Sequence, residues 1–153
     1  MSAAYDVDTR DLTLFARNAT AAEPIVLDEM TRAMEASTRI VMGEARSLVR
    51  VRSGETQRRI GQTVRRVGPG VEGEIRSAAP WSRWLEHGRG AVYPVRAKVL
   101  RWVSPGGSVV FSRRSRPAAA RPFMRPALGN TRAQVRSEFA RVGGRVWARW
   151  GRG

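Results

Sequence analysis

The chain has 153 residues, 42% of them apolar, with no cysteine and a formal net charge of +15. That length suits one domain able to bury roughly two thirds of its unfolded surface, and the missing thiols exclude a disulfide framework or thiolate chemistry. No run reaches membrane-span length and the acidic start MSAAYDVDTRDL does not read as a secretory signal, so a soluble chain, intracellular or particle-bound, with no membrane partner is expected.

The elements follow in chain order. VDTRDLTLFARNA opens with Asp8 and Thr9 as capping residues and sets Leu12, Phe15 and Ala16 on one face, predicting a short helix. TAAEPIVLDEM then offers Thr20 and Glu23 at capping-box spacing with Pro24 in the first turn. From there Leu27, Met30, Met34, Val41, Ala45 and Leu48 recur at threes, fours and sevens, predicting a long amphipathic helix to about Val49. Gly54, in VRSGETQRRI, breaks it. The period then changes to two: QTVRRVGPGVEGEIRSA reads as strand, Gly-Pro-Gly turn, strand. APWSRWLEHG predicts a short helix with Pro80 near its start, Gly88 just past its end, and Trp81, Trp84 and Leu85 on its buried face. VLRWVSPGGSVVFSRR is a second hairpin, turning at Pro105, Gly106 and Gly107, with Leu100, Trp102, Val110 and Phe111 as its apolar content. SRRSRPAAARP is a proline-bounded basic linker. The last helix starts at RPFMRPALGN, where Phe123 docks on the core and Pro126 sits near the first helical position. Its stripe is Leu128, Thr131, Val135, Phe139, Val142 and Val146, weakened by Gly143 and Gly144 before a basic tail at 143–153. The order predicts a single α+β domain: a long N-terminal helix, a small antiparallel sheet built from hairpins, and a C-terminal helix.

Chemistry is sparse. His87 is the lone histidine, which rules out two-histidine metal sites. Ser82, Glu86 and His87 are neighbours in sequence but point in different directions from a helix. No phosphate-loop spacing occurs. The reading is therefore not an enzyme, with no cofactor, no metal and no catalytic residues. The charge is informative by its position: from Arg96 onward there are fourteen basic residues and one acid, Glu138, a net of +13 that leaves +2 for the first ninety-five. Such a field favours a polyanion or an acidic protein surface. The candidates are Arg113, Arg114 and Arg116 in the linker and Arg132, Arg136, Arg145 and Arg149 along the last helix, with Trp147 and Trp150 interleaved. Arginines meet phosphates and tryptophans stack on unpaired bases, and without a groove-reading motif any such binding is blind to sequence.

Three blocks, taken together, resemble a known family. VRSGETQRRI resembles the segment that follows the long N-terminal helix in the Hong Kong 97 phage "gene product ten"-like neck proteins. SAAPWSRWLEHG is similar to that family's next block, in which alanine and an aromatic precede a Glu-x-Gly ending a short helix. RPFMRPAL is close to the third, Arg/Pro-Pro-Phe-(Leu/Met)-x-Pro-Ala-(Leu/Phe), which opens the C-terminal helix. The blocks come in the family's order, and the likeness covers about residues 10–142. The inserted hairpin has counterparts in longer members.

The resemblance implies a tail-terminator-like fold and a non-catalytic virion protein for head–tail joining or tail completion. Several copies, commonly six, would form a ring between the connector or stopper beneath the portal and the tail terminator or tail tube, with DNA passing through the centre. The protein would sit in the neck of the virion, after assembly in the host cytoplasm. A tail terminator or minor tail protein of the same fold is the nearest alternative. A sequence-independent nucleic-acid-binding module is the alternative of another class. In the neck-protein reading the core or interface residues are Trp81, Trp84, Leu85, Glu86, Gly88, Trp102, Phe111, Arg121, Pro122, Phe123 and Pro126, and the seven arginines above face DNA or an acidic partner ring.

Overall fold

The computed structural model describes residues 9–50 and 53–150, with side chains from Glu23 onward. The expected face of Leu12, Phe15 and Ala16 and the Thr20 cap lie outside the described side chains. The order is α1 (Thr9–Leu48), α2 (Glu55–Arg58), β1 (Ile60–Val67), β2 (Gly70–Ser77), α3 (Ser82–His87), β3 (Leu100–Val103), β4 (Val109–Ser112), α4 (Met124–Ala140) and α5 (Val142–Trp150). The class is α+β, with a long N-terminal helix and antiparallel hairpins as expected, but the single expected C-terminal helix is two, and the second, α5, occupies most of the stretch read as a basic tail at 143–153. The hairpins form two separate two-stranded sheets, β1–β2 and β3–β4.

The start of the chain differs from the expectation of two helices. One helix runs through Pro24. A proline inside a helix gives up one ladder hydrogen bond, and the alanines at 19, 21 and 22 favour helix on its N-terminal side. The buried stripe of α1 also differs from the apolar one read at threes and fours. Glu29, Ala33, Ser37, Val41 and Ala45, four apart, are buried, while Leu27, Met30 and Met34 are half-buried and Leu48 is exposed. Small residues on this stripe permit close approach of other backbone. The buried hydroxyl of Thr38 avoids a desolvation penalty by donating to the Met34 carbonyl at 2.9 Å.

The residues group into two compact units. One gathers α1 up to Met42, the hairpin segment Gln62–Ile75 and the chain from Thr131; the other gathers Gly43–Gly61 and Arg76–Asn130. In the first, Gly73 of β2 passes so close to α1 that a Cβ there would lie 2.6 Å from Met34 Sδ and Thr38 Cγ2. In the same unit α4 and α5 keep Thr131 buried and Val135, Phe139, Val142 and Val146 half-buried.

In the second unit, Gly54 takes a left-handed φ of 69° ahead of α2, as a helix-breaking glycine should. Gln57 donates to the Arg46 carbonyl at 2.7 Å and Arg46 donates to the Ile60 carbonyl at 2.8 Å, which fixes the turn from α1 into β1. Ile60, Ala79, Phe123 and Ala127 are buried here. Leu128, expected on the inner stripe, is 60% exposed, and Ala127 takes the inner position beside it. The inner row through Phe123, Ala127 and Thr131 advances four residues at a time, so the leucine one step past Ala127 faces outward.

Candidate functional site

The second and third sequence blocks meet in space, and a carboxylate joins them. Glu86 sits near the end of α3 and reaches the start of α4. Its Oε2 accepts from the Phe123 N–H at 2.9 Å and the Met124 N–H at 3.1 Å, and its Oε1 accepts from the Arg125 N–H at 3.1 Å. The next residue, Pro126, has no N–H, and from Ala127, which donates to the Phe123 carbonyl at 3.2 Å, the helical ladder supplies its own bonds. A helix leaves its first four N–H groups without partners. Here one acid from 37 residues earlier takes three of them and proline removes the fourth. Pro126 is thus the third helical residue of α4 rather than the first, and its placement completes the cap. Negative charge at a helix N-terminus is also favoured by the helix dipole. Burial pushes the Glu86 carboxyl up, but the three backbone donors and His87 outweigh it and hold the group below its ordinary 4.5.

The backbone around this cap is pinned in register. Arg121 N–H donates to the Leu85 carbonyl at 2.7 Å, and Arg89 and Ala118 exchange both hydrogen bonds at 2.8 Å. Between them Gly88 adopts a φ of 77°, and a Cβ there would stand 2.9 Å from Ala120 N and 3.0 Å from Ala118 O. Only glycine fits both conditions. Phe123 is buried at 2% exposure, whereas Arg121 and Pro122 are exposed. Trp81 and Leu85 are half-buried, and Trp81 Nε1 donates to Thr56 Oγ1 at 2.8 Å. Trp84 departs from the expected buried face: it is 51% exposed, with the Arg89 guanidinium 5.6 Å from its ring. Three residues beyond Trp81 on a single-sided short helix, it points past the buried edge.

The β3–β4 ribbon pairs Leu100 with Ser112, Arg101 with Phe111, Trp102 with Val110, and Val103 with Val109. Trp102 and Phe111 therefore lie on opposite faces of the ribbon, exposed by 40% and 62%. Gly107 turns the chain at φ 82°. The linker is not free of structure, since Ser115 and Ala118 pair with Val92 and Arg89. Arg113, Arg114 and Arg116 remain exposed upon it.

The arginines of the last helix divide. Arg132 and Arg136 are exposed on α4. Arg145 and Arg149, expected to face DNA or a partner, instead serve the first unit. Arg145 Nε meets Glu29 Oε2 at 2.9 Å, and Arg149 Nη1 meets Asp28 Oδ2 at 2.6 Å and Glu29 Oε1 at 2.8 Å. Arg32 and Arg66 add longer pairs to the same acids. The Glu29 side chain is 3% exposed, so without these cations its charge would be costly. The hydrogen bond from Arg149 pulls the Glu29 carboxyl down, burial pushes it up, and Arg145 and Arg32 help hold it below its ordinary value. Asp28 is lowered for the same first reason.

Sequence reasoning missed Asp28 and Glu29. The available signal was the spacing: Glu29 stands four before Ala33 on the stripe Ala33-Ser37-Val41-Ala45, and an acid on a buried stripe requires a cation. It also missed Ser115, whose Oγ takes the Arg89 guanidinium at 3.0 Å and the Val92 N–H at 3.3 Å. Among the described residues no helix is long and apolar enough to cross a membrane. Comparison with family models, curated proteins and solved structures finds no match for this chain.

Proposed function

We propose that the protein is a non-catalytic structural component of a long-tailed bacteriophage, a head–tail joining or tail-completion protein that forms a ring at the neck. The single observation carrying this reading is the Glu86 cap. WLEHG, which ends the second of the three blocks that carry the resemblance, and RPFMRPAL, the third, are complementary parts of one lock, so their joint occurrence at this spacing has a physical reason. A lock of this kind holds a scaffold rather than a substrate, which suits a protein whose work is assembly. Exposed aromatic side chains on the β3–β4 ribbon and Trp84 beside Arg89 are the residue types that subunit interfaces favour. The unpaired arginines would face the DNA passage or a neighbouring ring. Deleting the gene from the phage should yield filled heads and separate, finished tails. Over-long tails would reassign the protein to termination, and infectious particles of normal yield would refute a neck role. Sizing and electron micrographs of the pure protein should show rings. A strict monomer that shifts duplex DNA, with affinity falling steeply in salt, would favour the nucleic-acid-binding alternative.

A further inference from the structure

Between Arg76 and Asn130 the sequence carries ten arginines and one lysine against one acid, Glu86. That acid is consumed by backbone N–H groups. Among the described residues, none of these eleven cations makes a salt bridge, whereas six of the seven arginines that do lie in the other unit. Four of the eleven line an open groove of about 760 Å³ beside the β3–β4 ribbon. Arg89, Arg101, Arg114 and Arg116 rim it, no acid among the described residues lines it, and Trp102 and Val110, a cross-strand pair, supply an apolar floor.

We propose that this groove docks an extended acidic segment of a partner protein, with glutamate or aspartate alternating with aliphatic side chains. The proposal goes beyond ring formation and does not depend on it. Two features select a polypeptide over a nucleic acid. The aliphatic methyl groups of Leu100 and Val110 gain nothing from a phosphate backbone. The ribbon has only two strands, so its outer edges present unpaired N–H and C=O groups that another extended chain can match. A two-stranded ribbon is marginal in water by itself, and a third strand would complete it. Alternation follows from strand geometry: a guest strand beside the ribbon turns every second side chain to the face that carries Trp102 and Val110, and those between to the face that carries Arg101.

The full-length protein should be titrated with an eight-residue capped peptide alternating glutamate and leucine, reading tryptophan fluorescence and calorimetry. The same peptide with glutamine for glutamate, and a twelve-nucleotide oligothymidylate, serve as competitors. Binding of the acidic peptide should exceed that of the glutamine version at least tenfold and weaken with salt. It should fall at least tenfold in the Arg101→Gln, Arg114→Gln, Arg116→Gln triple variant, whose circular dichroism should match the parent. Trp102→Phe should remove most of the fluorescence change while leaving the calorimetric signal. Equal binding of the two peptides, undiminished binding by the triple variant, no binding at millimolar peptide, or preferential displacement by the oligonucleotide would each overturn the proposal. Rings without peptide binding, or peptide binding without rings, separate its fate from that of the neck-protein reading.

Discussion

In the unit that holds Gly43–Gly61 and Arg76–Asn130 the largest fully buried side chains are Phe123 and Ile60; in the other unit the counterpart is a carboxylate, Glu29. The first is held by apolar packing and a capped helix. The second closes over a stripe of small and polar residues, with arginines drawn inward to neutralise Glu29. The acids make the difference. Asp28 and Glu29 collect four arginines between them, while Glu86 collects three backbone N–H groups and, among the described residues, no guanidinium. A basic composition is thus spent on stability in one region and left on the surface in the other.

The strongest way to sharpen this contrast is Phe123→Ala, which should cost about 3–5 kcal/mol by cavity formation, read as a loss in denaturant unfolding. Next, Gly88→Ala combines a left-handed φ with backbone contacts near 3 Å and should cost about 2–4 kcal/mol. Glu86→Ala leaves three N–H groups uncapped and should cost about 1.5–3 kcal/mol, and its amide exchange should quicken first at Phe123, Met124 and Arg125. Both units should weaken in acid. The folded carboxyls of Glu86, Asp28 and Glu29 sit below their unfolded values. Their contribution is therefore full above the unfolded pKa and is lost as pH falls through the folded one. Salt should discriminate within the acid cluster, because the pairs of the part-exposed Asp28 are screened, whereas those of the buried Glu29 and the backbone cap on Glu86 are screened less.

Much of the fold was legible because its signals are local. The glycine turns, the change of period from 3.6 to 2 and the Leu100–Phe111 ribbon each follow from residues within a dozen positions. The continuous helix through Pro24 was not, since a proline in a first turn and a proline inside a helix leave the same mark on a sequence. Leu128 misled because a leucine beside an alanine draws the stripe toward itself, although Ala127 is the residue with no room around it. The candidate site was half visible. Glu86, Phe123 and Pro126 were singled out one at a time, but no periodicity could reveal that a carboxylate would cap a helix 37 residues away. Arg145 and Arg149 looked free because their partners lie about 120 residues earlier.

Equilibrium unfolding of two arginine-to-glutamine variants, side by side, tests the division of charge most directly. Arg145→Gln with Arg149→Gln should lower stability, and most of that loss should persist in high salt, because the buried Glu29 carboxylate is left without its two closest cations. The Arg101→Gln, Arg114→Gln, Arg116→Gln variant should match the parent within about 0.5 kcal/mol, as changes at unpartnered surface positions do. Equal losses in the two variants, or the larger loss in the second, would contradict the account.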